Sequence, residues 1–393
     1  MANKRIYLDH NATAPIRAEA RAAMNAVLNE TGNASSVHGE GRRARAIVET
    51  ARNEVAALLG VKADGVTFTS GGTEANHLAM AQAKPRGATA ILISTVEHLA
   101  LVEAAGLAAR ETGLPVLQAP VTGDGVVDRI AFRSLLEGAG ERPFVSIMSA
   151  NNETGVVQPI AELAAQVKET GGIFHTDASQ SAGKMPFDLA ALGVDMATLS
   201  AHKMGGPQGV GALVQRHDDT IVARQTGGGQ ERGRRSGTEN LMGIAGMGAA
   251  ATAVARLDLA QAAAEMAARR AAFEAKLQAA SAETVIFGNA VERLPNTISF
   301  AAPDLKAETL LMQFDLAGFA LSAGSACSSG KVARSHVLTA MGIEAGLASG
   351  ALRVSFGSET TDEELELFAD AWARYAGKGR QKTAATQSVA AEG

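Results

Sequence analysis

Four short stretches of this chain carry residues that could do chemistry. HTDASQ (175–180) holds a carboxylate, Asp177, and SAHKMGGPQGVG (200–211) holds an amine, Lys203. TSGGTEANH (69–77) has two adjacent glycines, and SAGSACSSGK (322–331) holds Cys327, the only cysteine in the chain. Each stretch also has a plainer reading. Gly71 and Gly72 let a backbone approach a ligand, and a helix starting near Thr73 would present unpaired N–H groups and a positive dipole end to an anion. An ordinary cap at Thr73 explains the same residues, and no Lys-Ser/Thr follows at the spacing of a P-loop. Asp177 ends an apolar run, which puts it at the carboxyl edge of a sheet, where open α/β sheets bind ligands. A loop-capping aspartate would look the same. A metal pair of His175 and Asp177 lacks further ligands nearby. Lys203 follows a run that should be buried, unlike most surface lysines. Cys327 has small polar neighbours instead of the apolar ones of a core cysteine.

Three strand ends together offer a phosphate cradle, a carboxylate and an amine. Pyridoxal phosphate (PLP) uses all three. It needs a lysine for covalent attachment, an acid to keep its ring nitrogen protonated, and an anion site. The protonated ring is what lets the cofactor accept electrons from a substrate α-carbon.

These residues need a scaffold that brings strand ends together. Short apolar, β-branched runs recur: VTFT (66–69), AILIS (90–94), PVLQ (115–118), FVSIMS (144–149), GIFHT (172–176), MATLS (196–200) and GALVQ (211–215). Helical patterns such as ANHLAMAQA, HLALVEAAGLAARE and IAELAAQVKET separate most of them. Alternating strands and helices predict an α/β fold with a mostly parallel, seven-stranded sheet. The link from MATLS to GALVQ is too short for a crossover helix, so the last strand is expected to be antiparallel. After residue 240 a long Ala-rich helical region runs to about 280. TVIFG, NTISFAA and ALRVSFG then supply strands, and EELELFADAWARYA a helix, of a smaller α+β unit. The expected division is a large domain over 15–255, a small domain from 1–14 and 256–376 carrying the Cys327 loop, and a disordered tail over 377–393.

The totals bound the function. The 393 residues are 46% hydrophobic and 20% charged, with a net charge of −5, which fits a globular protein with a large core. Without a long basic run, nucleic acid is not an expected partner. One cysteine rules out an intramolecular disulfide or a Cys-built metal site within one chain, and fits a reducing cytoplasm. MANKRIYLDHNATAP lacks the apolar core of a signal peptide. The most membrane-like stretch, LMGIAGMGAAATAVA (241–255), falls short of a span and is expected to be a buried helix. No membrane association and no metal are expected.

YLDHNATAP, GNASSVHGEGRRAR, FTSGGTEANHLAM, VEHLA, SANNETGVVQPI, FHTDASQSAGK, SAHKMGGPQGVG, GGGQERGRRSGTEN, PNTISF, SAGSACSSG and LRVSFGSETTDEEL occur in that order between residue 6 and about 366. Together they resemble the cysteine desulfurases of the NifS/IscS type, fold type I PLP enzymes of the class V aminotransferase family. The resemblance implies that Lys203 carries the cofactor, Asp177 pairs with its ring nitrogen, His98 stacks on the ring, and Gln180 bonds its phenolic oxygen. It implies that Gly72, Thr73, Ser200 and His202 hold the phosphate. Thr238 would reach the phosphate of the other subunit of a homodimer. Asn152, also a cofactor contact, and Arg353 would hold the substrate carboxylate, for which the planar guanidinium fork is suited.

By the same resemblance, Cys327 takes the sulfur of L-cysteine as a persulfide, alanine leaves, and an acceptor such as an iron–sulfur scaffold protein receives the sulfur. Alternatives are a selenocysteine lyase or another β-eliminating enzyme of this fold, which needs no protein thiol, and a non-catalytic subunit of a cluster-assembly complex. The chain departs from the family pattern at His10, Ala14, Ala34 and Gln208, none of which carries an assigned role. The tail after residue 377 does not resemble the scaffold-docking segment of housekeeping members, which leaves the acceptor open.

Overall fold

The computed structural model describes residues 5–217, 219–324 and 334–391, with side chains as far as residue 376. Its strands, in chain order, are β1 (Ile6–Tyr7), β2 (Val66–Thr69), β3 (Ile91–Ser94), β4 (Val116–Ala119), β5 (Phe144–Ser146), β6 (Ile173–Asp177), β7 (Met196–Ser200), β8 (Gly211–Gln215), β9 (Val285–Ile286), β10 (Thr297–Ala301), β11 (Phe319–Ala320), β12 (Ser322–Ala323) and β13 (Leu352–Ser355).

Seven of these form one sheet in the order β2-β8-β7-β6-β5-β3-β4. Pairs β3–β4, β3–β5, β5–β6 and β6–β7 are parallel. Strand β8 runs antiparallel to both its neighbours, as the short MATLS–GALVQ link requires. Alternate residues of each strand point to opposite faces. Ile91 and Ile93 therefore meet Ala75, Leu78, Leu101 and Ala105, from helices Gly72–Met80 and Leu99–Thr112. Leu92, Val145 and Phe174 meet Val48, Phe132, Leu163 and Met247 on the other face. Covering both faces is what permits runs that are apolar throughout. LMGIAGMGAAATAVA is the helix Leu241–Ala255, largely buried. Among the described residues, no helix is long and apolar enough to cross a membrane.

A second, antiparallel sheet has the order β12-β13-β10-β9. It packs on an aromatic core in which Phe314 and Phe368 stack at 4.6 Å and Trp372 meets Phe300 edge-on. Ile6 and Leu8 join this core, and β1 pairs with β11. The chain's N-terminal end therefore returns to the unit built mostly from residues beyond 280. The last helix runs Asp362–Ala391. Its backbone thus continues through a segment for which the absence of apolar periodicity predicts disorder. Ala, Lys, Arg and Gln, which supply helix propensity without an apolar face, make up much of that stretch.

Candidate active site

The carboxyl ends of β6 and β7 open into a cleft of about 700 Å³ between the two units. Lys203, Asp177, Gln180, His98, Gly72, Thr73, Ser200, His202, Asn152 and Arg353 all line it. Thr238 does not line it and is exposed. Cys327 lies outside the described residues.

Asp177 is the last residue of β6 and is buried. Asn76 Nδ2 donates to its Oδ2 at 2.8 Å and the Ser179 amide to its Oδ1 at 2.9 Å. Both lock the carboxylate in one orientation. Next to it, His175 is fully buried, with Ser146 Oγ at 2.7 Å from Nδ1 and Thr198 Oγ1 at 3.0 Å from Nε2. Both ring nitrogens are thus taken, which leaves none for a metal.

Lys203 ends the tight turn Ala201–Lys203 that follows β7. Its Nζ donates to the carbonyl oxygens of Asn11, at 2.6 Å, and Ala12, at 2.9 Å. His202 beside it is pushed down to about 4 by burial and by the charges of Lys203 and Lys184, so it is neutral near pH 7.

The helix Gly72–Met80 starts without a side-chain cap, its N-cap being Gly71 and not Thr73. A Cβ at Gly72 would lie 3.2 Å from Ser179 Oγ and 3.3 Å from Ser200 Cβ, so a larger residue would fill the hollow at this helix end. Glu74 fixes the loop from below. It accepts from the Ser70 amide at 2.8 Å and from Arg235 Nε at 2.8 Å.

His98 is the N-cap of helix Leu99–Thr112 and also lines the cleft. Its Nδ1 accepts from the Ala100 amide at 3.1 Å. Burial pushes its pKa down, Lys203 and His336 add to this, and Asp177 opposes it. The neighbouring Glu97 is fully buried and pushed up to about 8, mainly by burial, so it holds its proton near neutrality.

Arg353, on β13, donates from Nη2 to Asp9 Oδ1 at 2.7 Å and from Nη1 to the Asn152 carbonyl at 3.0 Å. Ser322 Oγ donates to the other oxygen of Asp9 at 2.7 Å. Arg353 Nε and Asn152 Oδ1 are buried without partners, which leaves a donor and an acceptor for a ligand.

Sequence reasoning missed Asp9, Asn11 and Asn76 as parts of this site, and Lys184 behind it, bonded to Gln180. Asp9 and Asn11 sit in YLDHNATAP, whose polar density was the one available signal.

The donor set fits PLP. It offers an amine, a fixed carboxylate, an uncapped helix end with a glycine hollow, and a neutral imidazole on one cleft wall. The Aminotransferase class-V family model matches residues 6–368. A cysteine desulfurase, IscS, of Dictyoglomus turgidum is 39% identical, with 93% of each chain covered. The solved NifS-like protein from Rickettsia africae is 35% identical with a TM-score of 0.85, covering 94% of this chain and 99% of its own. A structure of SspA in complex with cysteine is 27% identical with a TM-score of 0.76, covering 89% of this chain and 98% of its own.

Proposed function

The chain belongs to the class V aminotransferase family, and from that premise we propose that it is a PLP-dependent cysteine desulfurase. It takes sulfur from L-cysteine onto Cys327, releases L-alanine and passes the sulfur to an acceptor protein. The observation that carries this reading is the convergence of Lys203, Asp177, Gly72 and Arg353 on one cleft. A lyase of this fold shares that cleft, and the lone Cys327 is what favours sulfur transfer over simple elimination.

Lys203 would hold the cofactor, with Asp177 at its ring nitrogen, His98 on its face and Gln180 at its phenolic oxygen. Gly72, Thr73, Ser200 and His202 would take the phosphate. When bound, PLP supplies an electron sink for chemistry at the substrate α-carbon. The chain's own residues do the rest. Arg353, held by Asp9, and Asn152 orient the substrate carboxylate. Lys203 Nζ is the group that moves protons at the α-carbon. The thiolate of Cys327 attacks the substrate sulfur. A sulfur–sulfur bond forms, the carbon–sulfur bond breaks, and the carbon keeps that electron pair and takes a proton to become the methyl group of alanine. No outside oxidant is needed.

Incubation with L-cysteine tests the proposal. Alanine should form, and without reductant one added sulfur should appear on the peptide carrying Cys327. Alanine or pyruvate released with that peptide never modified points to a lyase and overturns the sulfur-transfer step.

Asp177→Asn should keep the fold and lower turnover by about 10²-fold or more, the scale of losing one preorganised electrostatic contact. The amide cannot hold the ring nitrogen protonated, so the electron sink weakens. Alanine release measured on cofactor-loaded protein checks this; near-normal turnover counts against the electron-sink role.

The active enzyme is a homodimer in this reading. It accounts for Thr238, which is exposed and does not line its own chain's cleft yet belongs to the family motif GGGQERGRRSGTEN. Thr238→Val should weaken cofactor binding by about tenfold, the loss of one hydrogen bond to a charged group. Sedimentation should give a dimer; a fully active monomer overturns the assignment. The lone cysteine favours a reducing compartment such as the cytoplasm. An acceptor of the iron–sulfur scaffold type fits the persulfide product.

A further inference from the structure

Lys184 closes the segment FHTDASQSAGK but takes no part in the chemistry above. It does not line the cleft. Its side chain turns inward, and Nζ donates to Gln180 Oε1 at 2.6 Å and to Asn11 Oδ1 at 2.8 Å. Each of these amides has its other end committed as well. Gln180 Nε2 donates to the Asn11 carbonyl at 3.1 Å, the same oxygen that accepts from Lys203 Nζ at 2.6 Å. Asn11 Nδ2 donates to Thr297 Oγ1 at 2.9 Å and to the Asn152 carbonyl at 3.2 Å. That carbonyl also accepts from Arg353 Nη1.

Hydrogen-bond polarity leaves this arrangement one solution. The amine supplies donors, so amide oxygens must face it. Turning the Gln180 amide over would set its NH₂ against the amine and its oxygen against the Asn11 carbonyl. Both contacts would then be mismatched in a buried site.

We propose that Lys184 is a positioning residue that holds the Gln180 amide with its donor beside Lys203. The inference rests on the desulfurase reading, in which Gln180 serves the cofactor. Burial, then the charges of Lys203 and Arg353, push the Lys184 amine well below the ordinary lysine value. This agrees with an amine held inside the network instead of in solvent. Lys184 in turn bears on His10 and His202, and Asp9 offsets Arg353.

The test uses cofactor-loaded wild type, K184M, Q180A and the double variant. Turnover and the pH titration of the visible cofactor band are both read. In K184M the Gln180 amide loses the contact that orients it. An oxygen that loses its donor holds a proton more tightly, so the band should titrate about one unit higher. Turnover should fall about tenfold, one lost hydrogen bond to a charged group. The double variant should be no worse than Q180A in either readout, because Lys184 acts through Gln180. An unmoved band in K184M, or losses that multiply in the double variant, overturns the proposal. If K184M fails to fold, K184Q keeps one donor and should move the band the same way by less; an unmoved band there overturns it too. Wild type with no PLP-dependent band overturns the cofactor reading and this inference together. A normal wild-type band with an unmoved variant overturns this inference alone.

Discussion

Lys203→Ala is expected to abolish alanine release, by about 10⁴-fold or more, the scale of removing a residue that works as part of a catalytic unit. The loss combines two roles. In the proposed mechanism the amine attaches PLP and also moves protons at the substrate α-carbon. The fold should survive. Lys203 sits on the turn after β7, and its amine donates to the carbonyl oxygens of Asn11 and Ala12. The Asn11 carbonyl keeps Gln180 Nε2 as a donor in the variant. Stability should therefore change by no more than about 1–3 kcal/mol. Borohydride reduction of loaded wild type should leave the cofactor fixed to the peptide carrying Lys203, and the variant should show no fixed cofactor. Label on another lysine, or a variant that still releases alanine at a tenth of the normal rate, would remove Lys203 from the centre of the mechanism.

The seven strands of the large sheet were legible because each is a short apolar, β-branched run, most of them separated by helical patterns. The antiparallel β8 was legible from the length of one link. The strands β1, β11 and β12 were not, since two residues carry no periodicity and their pairing depends on partners far along the chain. The site divides in the same way. Asp177, Lys203 and Gly72 stand at strand ends or a helix start, where local pattern predicts an edge position. Arg353 required the family resemblance, because a strand arginine has no local mark of function. Its partner Asp9 lies 344 residues away in sequence, so nothing local links the two. Asn76 was read as part of a helix face, while its side chain reaches Asp177, 101 residues on. Lys184 was quoted within a motif without a role, because a lysine in sequence looks like solvent-facing charge until its amine is seen against two amide oxygens.

Cys327→Ala should bind PLP and L-cysteine normally and release alanine at less than about 10⁻³ of the wild-type rate, as expected when a catalytic nucleophile is removed. Binding should persist because Asp177, Lys203, Asn152 and Arg353 line the cleft without it. Transfer should stop because the chain has no second thiol to replace it. The reaction needs a sulfur nucleophile to receive the substrate sulfur, and water in its place would give a different product. The pH dependence follows from the same chemistry. An ordinary thiol has a pKa of about 8.5, so only a few per cent is thiolate near neutrality. Wild-type turnover should therefore rise from about pH 7 through about 8.5 and level off above about 9.5. The rise should vanish in any residual activity of Cys327→Ala. Mass spectrometry after L-cysteine treatment should find one extra sulfur on the wild-type peptide, removable by reductant, and none on the variant. If the variant turned over like wild type, the protein would be a lyase of this fold, and Cys327 would need another explanation.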